Sequence, residues 1–398
     1  MYEVAIATTN SYELSAVGAS LDNLTSMLGY NFASVIKPGM SVFIKPNWVA
    51  SKWRESCPHK DNLYGVITHS SVIEAVADKV AYALDGDGEI IIGDNPSIDA
   101  DFEELMKFTG IRRLESKYDV PCKIVDLRPL VCKNLQDYGI KSKMVPRIGD
   151  ERGEVLINLG EESMLFNMDS SLFRGVFNER EETVAAHTGN THLYSFSRSL
   201  YEADVYISIP KLKTHHKVGV TLNLKGLVGC ISNKNQLVHW RIGSPETGGD
   251  EYPNKESLAA SKNAKITYRG AHPGNDTIWR MVVDLYNAML KRKRKYFSIV
   301  DGIIAGEGTG PFCPTSKSAN VLLGGENLLA VDIVATRLMG FEPCRIRYLQ
   351  NFLESNISKK DISVIYNGNA IGNFFTLKSS YLNFKMPEQW LEIKIDTA

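Results

Sequence analysis

Short apolar runs rich in β-branched residues alternate along this chain with segments whose apolar residues recur at helical spacing. Between Ser71 and Leu84, for example, Val72, Val76 and Val80 repeat as on one face of a helix. Strands that alternate with helices predict an α/β fold, with a mostly parallel open sheet and helices flanking it. The apolar runs predict strands at Val4–Thr8, Ser41–Ile44, Glu89–Ile92, Cys122–Leu127, Val205–Ile209, Tyr296–Val300, Asn320–Leu323 and Ile362–Tyr366.

The alternation is interrupted between residues 131 and 200, where only short strand and loop signals remain. This interruption predicts an inserted mixed subdomain within a main α/β domain that is formed by residues 1–130 and 201–375. Residues 231–275 are rich in Gly, Pro, Asn and charge, which predicts a lid-like loop region. Residues 376–398 are predicted to form a C-terminal tail.

The composition is that of an ordinary globular protein, since 43% of the 398 residues are hydrophobic and 23% are charged. The formal net charge of -1 gives no overall attraction to nucleic acid or to an anionic membrane. No apolar run approaches the ~20 residues of a membrane-spanning helix, and the sequence begins without the basic region of a signal peptide. We therefore expect a cytoplasmic protein without nucleic-acid or membrane partners, and the sequence leaves a homo-oligomer open.

The cysteines are scattered rather than paired in short motifs. No CxxC spacing occurs, which argues against an iron–sulfur cluster or a zinc ribbon. In the cytosol we expect these thiols to be free. They are Cys57, Cys122, Cys132, Cys230, Cys313 and Cys344.

Polar side chains follow several of the predicted strands directly. In open α/β sheets, ligands bind beyond the carboxyl ends of the strands. Polar residues at the end of a single strand do not indicate a site. Polar residues at the ends of several parallel strands predict one polar crevice at one edge of the sheet. The residues that follow the strands are Lys45, Asn47, Asp94, Asn95, Lys211 and Asp301.

The densest concentration of such residues follows the apolar run Val205–Ile209. Pro210 ends this predicted strand, and Lys211–Lys217 then carries three lysines and two histidines. Lysine is a compact point charge that is common at phosphate and carboxylate sites. A solvated basic turn is the alternative interpretation. We interpret Lys45, Lys211, Lys213 and Lys225 as the anion-binding lysines because they follow buried strands or lie in an apolar segment.

Histidines provide the candidates for proton transfer. His215 and His216 are adjacent, so only one of them can readily face inward from an extended segment. A cationic crevice lowers the pKa of a lysine or histidine and suits it to acid–base work. With Asp94, Asp301 or Asp332 the histidines could also hold a divalent metal, although no HxH or HExxH spacing supports one.

The glycine-rich run Gly306–Pro311 follows the predicted strand that ends before Asp301. Its glycines could present backbone amides to an anion, and a plain tight turn is the alternative. The run is neither a Walker nor a Rossmann fingerprint, because prolines deny it an immediate helix.

The segment PKLKTHHKVGVTLNLKGLVG, at 210–229, closely resembles the signature of the DUF362 family. Further matching motifs occur in family order: FIKPNWV at 43–49, THSSVIEAV at 68–76, GDNP at 93–96, VDGIIAGEGTGP at 300–311 and LLAVDIVATRLMG at 328–340. The resemblance singles out His215 as the inward-facing histidine and His239 as a second one. The resemblance implies which sequence positions belong to the site, but it implies no particular reaction. Many family members carry appended ferredoxin-like cysteine runs, which are absent from this sequence.

Together these features predict a cytosolic enzyme that acts on a small anionic metabolite, phosphorylated or carboxylated, by Lys and His acid–base chemistry. Isomerase, epimerase or lyase chemistry is favoured over a ligase or transferase, and a divalent metal is left open. The alternative is a non-catalytic anion-binding or redox-partner module. The predicted catalytic residues are His215, His239, Lys213 and Asp301. The predicted substrate-binding residues are Lys45, Asn47, His69, Asp94, Asn95, Lys211, Thr214, Asn223, Lys225, Gly308 and Gly310.

Overall fold

A computed structural model describes residues 1–252, 268–376 and 381–390 of the chain. Its strands are β1 Tyr2–Thr8, β2 Ser41–Pro46, β3 Glu89–Asp94, β4 Cys122–Asp126, β5 Leu130–Val131, β6 Val145–Pro146, β7 Glu154–Asn158, β8 Phe173–Arg174, β9 Leu193–Ser197, β10 Val205–Ile209, β11 Lys211–His215, β12 Gly219–Val220, β13 Trp240–Arg241, β14 Lys295–Thr309, β15 Cys313–Gly325, β16 Ile362–Tyr366 and β17 Asn369–Ala370. The helices in the described ranges are α1 Leu14–Met27, α2 Phe32–Val35, α3 Ser70–Leu84, α4 Phe102–Thr109, α5 Glu181–Ala186, α6 Arg198–Glu202, α7 Leu222–Gly226, α8 Ile278–Leu290, α9 Leu328–Leu338 and α10 Arg347–Ser355.

Eleven of these strands form one sheet, whose main path is β17-β16-β1-β15-β14-β10-β2-β3-β4. The neighbours from β14 through β10, β2 and β3 to β4 all run parallel, and β11 continues beside β14 in the same direction. β15 is antiparallel to both β14 and β1. The α/β fold with a mostly parallel sheet and flanking helices is therefore confirmed.

Both faces of the sheet are buried, as the β-branched strand sequences require. Along β2, Val42 and Ile44 pack with residues of α1 and α3, whereas Phe43 packs with residues of α8 and α9 on the opposite face. All five residues of β10 are buried. In register, Ile207 of β10 pairs with Ile44, and Ile44 pairs with Ile92 of β3, so a row of isoleucines crosses the centre of the sheet.

The predicted end of the strand Tyr296–Val300 is wrong. The strand expected to stop at Val300 continues through Asp301 to Thr309, because β15 pairs with it in a long antiparallel hairpin. Pro210 likewise ends β10 without ending the sheet, since Lys211 of β11 pairs with Asp301. Asp301 therefore lies inside a strand rather than at its end.

The interruption predicted between residues 131 and 200 contains small two-stranded sheets outside the main one. β5 pairs with β6, and β7 pairs with β9. Asp284 of α8 ties this region to the main domain, because its carboxylate accepts hydrogen bonds from Ser163 Oγ (2.5 Å) and Tyr194 OH (2.9 Å). The subdomain limits at 131 and 200 remain predictions. The predicted lid at 231–275 lies in part outside the described residues, as does the predicted tail at 376–398.

Two cysteines contradict the expectation of free thiols. Cys57 and Cys313 form a disulfide, with 5.1 Å between their Cα atoms. They lie 256 residues apart in sequence and meet because the loop after β2 reaches the start of β15. Cys122, Cys132 and Cys230 are buried free thiols and Cys344 is an exposed one. Across the described ranges, none of the helices combines the length and apolar character needed to cross a membrane.

Candidate functional site

A cavity of about 370 Å³ lies beyond the carboxyl ends of β2, β3 and β11. This is the edge at which open α/β sheets bind ligands. The sheet brings together residues that are far apart in sequence, since each follows or ends a different strand or lies in the segment after β11. The predicted site residues that line the cavity are Lys45, Asn47, Asp94, Asn95, Lys213, His215, Lys225 and His239.

An ion pair between neighbouring strand ends forms one wall of the cavity. Lys45 Nζ lies 2.8 Å from Asp94 Oδ1, and both side chains are almost fully buried. Asp94 also accepts hydrogen bonds from the backbone amides of Trp48 (2.7 Å) and Asn95 (2.8 Å). A Cβ at Gly229 would lie only 2.1 Å from Asp94 Oδ1. A glycine is therefore required for this close approach.

Lys213 is fully buried in the cavity wall, and its ammonium contacts only uncharged oxygen atoms. Its Nζ donates to Val66 O (2.6 Å), Asn47 Oδ1 (3.2 Å) and Pro311 O (3.3 Å). Burial and the nearby ammonium of Lys211 hold the pKa of Lys213 well below its usual range.

Further lysines lie in the same cavity, and the sequence analysis missed Lys217 and Lys234. Burial and Lys45 lower the pKa of Lys225 to about 8. Burial and Lys225 lower the pKa of Lys217 to about 7, and burial and Arg128 lower the pKa of Lys234 to about 7. Among the described residues, the cavity lining has one carboxylate, Asp94, and the basic side chains Lys45, Arg54, Lys213, Lys217, Lys225, Lys234 and Arg269. The ionisable side chains of this lining are therefore mainly basic.

Two histidines in the cavity lining have opposite tautomers. The backbone N–H of Lys217 donates to His215 Nδ1 (3.1 Å), so this nitrogen carries no proton. His239 Nδ1 lies 2.9 Å from Leu237 O, and a carbonyl can only accept, so this nitrogen is protonated. Burial and the surrounding lysines hold the pKa of both rings well below the usual value, so both are neutral near pH 7. Nε2 is consequently a donor in His215 and an acceptor in His239.

A larger groove of about 1670 Å³ adjoins the cavity. Arg54, Tyr138, Arg269 and Phe312 line both spaces. The Arg54 guanidinium lies 3.5 Å from the centroid of the Phe312 ring and pairs with Asp99 at 3.4 Å. The disulfide joins the two segments that carry Arg54 and Phe312.

Three predicted site residues, Asp301, Lys211 and His69, lie in a separate polar cluster outside the cavity lining. Lys211 Nζ is 2.6 Å from Asp301 Oδ2, and Tyr12 OH donates to Asp301 Oδ1 at 2.7 Å. The His69 ring stacks on Tyr12 with 3.8 Å between centroids, and its Nδ1 accepts from the amide of Ser71. The expectation that Asp301 shares a crevice with the cavity lysines is wrong, because its carboxylate is saturated by this cluster.

Asn223 also lies away from the cavity. Its side-chain Nδ2 donates to Asp332 Oδ1 at 2.8 Å, and its Oδ1 accepts from Ser298 Oγ at 2.9 Å. Asp332 additionally accepts from the amide of Leu224 at 2.9 Å. Leu222 has a φ of 47°, and the short helix α7 that begins there carries Asn223 into contact with α9 instead of the ligand space. Asn223 and Asp332 therefore hold α7, whose Lys225 lines the cavity.

Thr214 and the glycine-rich run are used in packing. Thr214 Oγ1 donates to Gly308 O at 2.8 Å. The Gly308 amide donates to Lys385 O (2.8 Å), and the Gly310 amide donates to Gly308 O (2.9 Å). A Cβ at Gly310 would lie 2.0 Å from Thr214 O. The expected anion nest is therefore not formed, because both amides already have carbonyl partners and the glycines allow close packing.

No group of three or more His, Cys, Asp or Glu side chains suited to a metal ion occurs in residues 1–252, 268–376 and 381–390. The signal for Lys217 was its place in the basic run Lys211–Lys217, two residues after His215 and so on the same side of an extended segment. Lys234 had no comparable signal, because it follows no predicted strand. Its Nζ reaches the cavity by donating to Asn95 O at 3.2 Å.

Comparison with known proteins gives one family match. The profile described as "Domain of unknown function (DUF362)" matches residues 42–158 and 131–337. A thylakoid-associated protein of Synechocystis sp. is 24% identical over 343 residues, which cover 86% of this chain and 76% of that protein. The lactate racemase apoprotein of Thermoanaerobacterium thermosaccharolyticum aligns with a TM-score of 0.38 and 12% identity, covering 85% of this chain and 57% of that one.

Proposed function

The chain belongs to the DUF362 family, and we propose that it is an enzyme that transfers protons on a small anionic metabolite, phosphorylated or carboxylated. The observation that carries this proposal is the pair of neutral histidines with opposite tautomers in one strongly cationic cavity. A cavity that only bound an anion would need the lysines. It would not need an unprotonated imidazole nitrogen and an imidazole N–H donor in the same lining.

The two rings have complementary roles in this proposal. His239 Nε2 takes a proton from the substrate as general base. His215 Nε2–H donates a hydrogen bond to the substrate oxygen on which negative charge develops. A neutral imidazole that gave up its only proton would become an imidazolate, so His215 does not return the proton. Protonated His239 can return it itself, and return at the opposite face of the same carbon needs a further acid. Lys217 and Lys225 are suited to this step because burial brings their pKa values to about 7 and about 8.

Proton removal from one position and proton return at another give an isomerase, and return at the opposite face of the same carbon gives an epimerase. Loss of a leaving group after proton removal gives a lyase. We favour these reactions over phosphoryl transfer because the glycine-rich run at 306–311 has its Gly308 and Gly310 amides already bonded to carbonyls. Lys213 and Lys45 hold the anion in this proposal, and Asp301 supports the fold.

Two substitutions test the proposal. A thermal-shift screen of carboxylates and phosphate esters first identifies ligands, and product detection then identifies one that the protein converts. His239→Asn can keep the hydrogen bond to Leu237 O while removing Nε2. Turnover should fall roughly 10²–10⁴-fold, with little change in ligand affinity. Lys213→Met should instead mainly weaken binding, because Lys213 holds the anion in this proposal. If both variants lose affinity equally and no binding ligand gives a product, the protein is a passive binding module.

A further inference from the structure

Four lysines of the cavity have no carboxylate hydrogen bonded to them among the described residues. Lys213 donates only to uncharged oxygens, and Lys234 donates to a backbone carbonyl. The Lys217 ammonium lies 4.5 Å from the centroid of the Trp240 ring. Lys225 has no hydrogen-bond acceptor for its Nζ within the described part of the chain. The carboxylate in the lining, Asp94, is engaged by Lys45.

Burying ammonium groups without a bonded opposite charge is unfavourable, so these lysines either release their protons or gain negative charge from an occupant. One anionic group can contact only the ammonium groups within hydrogen-bond reach of its own oxygens. These lysines enter from different segments: Lys213 from β11, Lys217 from the turn after it, Lys225 from α7 and Lys234 from the loop beyond. Lys213 is also held on the wall by Val66 and Pro311. A single anionic group would leave several of them uncompensated.

We propose that the cavity takes a ligand with at least two separate anionic groups, such as a dicarboxylate or a phosphorylated carboxylate. This inference rests on the proposed function for the location of the site, but it makes no use of turnover. It narrows the substrate class from any small anion to a small anion charged at both ends.

Binding of such a ligand should take up protons. The charges that face Lys217 are those of Lys225, Arg269, Glu251 and Asp250, with both cations lowering its pKa and both acids raising it. Lys45 faces Lys225 and further lowers its pKa.

Lys234 faces a different set of charges. Arg128 and Lys225 lower its pKa, whereas Asp94 and Asp126 raise it. Burial, together with the surrounding cations, outweighs the acids when no ligand is bound, so some of these lysines release their protons near neutral pH. Two added anionic groups reverse that balance and return the protons.

Matched ligand pairs test the charge requirement by isothermal titration calorimetry at pH 7.5. Butyrate and succinate share a four-carbon chain and carry one and two carboxylates. Glycolate and phosphoglycolate differ by a phosphate. We expect the more highly charged member of at least one pair to bind at least about tenfold more tightly, because one charge-assisted hydrogen bond contributes that much. Succinate titrations in two buffers of different ionisation enthalpy should show net proton uptake.

Lys225→Met should reduce the preference for the more highly charged ligand, whereas Lys107→Met, at an exposed position on α4, should leave it unchanged. Equal affinity within both pairs, or no binding of any of the four ligands, would overturn the inference. The inference would also be overturned if Lys225→Met and the unmodified protein had the same preference for the more highly charged ligand. A charge preference without any turnover would leave this inference standing and remove the proposed enzyme. Turnover of a singly charged ligand that binds as tightly as its more highly charged partner would support the proposed enzyme and overturn this inference.

Discussion

Lys211 and Asp301 form an ion pair with 2.6 Å between Nζ and Oδ2 and with both side chains 0% exposed. The pair lies outside the cavity lining although Lys213, two residues along the same strand, belongs to it. The two lysines therefore have different surroundings: one neutralises a buried carboxylate of the protein, and the other lies in the cavity wall with uncharged oxygens as its described hydrogen-bond partners.

Asp301→Asn should strongly destabilise the protein, because it leaves Lys211 buried without its counter-ion. We expect a loss of about 3–5 kcal/mol in the free energy of unfolding, measured by urea denaturation. The matched control is Glu162→Gln, which removes an exposed partner of Lys291 and should cost at most about 1 kcal/mol. Asp301 would be assigned to the catalytic site instead if Asp301→Asn abolished turnover while stability stayed unchanged.

Stability should depend on pH through the cavity lysines. Their pKa values in the folded state are about 7 for Lys217 and Lys234 and about 8 for Lys225, below the ordinary lysine value. Between these values and about 10.4 the unfolded chain binds more protons than the folded one, so unfolding free energy rises with pH. Below pH 7 both states are protonated and this contribution to the slope vanishes.

Urea denaturation from pH 6.5 to 9.5 measures this slope, and Lys225→Met should make it shallower. Anion affinity should change in the opposite direction, falling as pH rises through the same window, because the lysines lose their charge. Identical slopes in Lys225→Met and the unmodified protein would contradict the assignment of a low pKa to Lys225.

The disulfide should contribute to stability by closing a long loop in the unfolded chain. The double substitution Cys57→Ser with Cys313→Ser should lower the unfolding free energy by roughly 2–4 kcal/mol, and reduction should have a similar effect. Cys344→Ser, at an exposed free thiol, is the control and should change little. Thiol labelling of the denatured, unreduced protein should find four reactive cysteines. Six labelled thiols would show that the bond does not form.

The close approach at Gly229 can be tested with a neighbouring glycine as control. In Gly229→Ala the new methyl group would meet Asp94 Oδ1 at 2.1 Å, so the Lys45–Asp94 pair must move. We expect a stability loss of about 1–3 kcal/mol from overpacking and weaker phosphoglycolate binding. Gly226→Ala has nothing within 4 Å of its Cβ and should not change stability appreciably. Equal stability of the two variants would show that the cavity wall formed by Lys45 and Asp94 is not closely packed against Gly229.

The sheet and one edge of the site could be predicted from sequence because periodicity and strand ends are local signals. Lys45 and Asp94 each end a buried run, and parallel pairing brings them to the same edge. Asp301 was misplaced because β15, which follows β14 in an antiparallel hairpin, extends β14 beyond it. Apolar patterning does not encode such antiparallel pairing.

Other parts of the site depend on distant contacts that no local pattern specifies. Lys234 reaches the cavity from an irregular loop, and the disulfide joins cysteines 256 residues apart. The tautomers of His215 and His239 are set by backbone groups two residues away, whose directions depend on the turn conformation. The sequence identified these histidines as candidates, but only the fold distinguishes a donor from an acceptor.

Incorporation of solvent deuterium into carbon tests the proposed proton transfer most directly, because it needs no knowledge of the product. Carboxylates and phosphate esters that bind would be incubated with the protein in D₂O and followed by NMR. We predict that at least one ligand exchanges a carbon-bound hydrogen, and that His239→Asn slows this exchange roughly 10²–10⁴-fold while the ligand still binds. Tight binding without exchange of any carbon-bound hydrogen in the unmodified protein, or equal exchange in His239→Asn, would contradict the account.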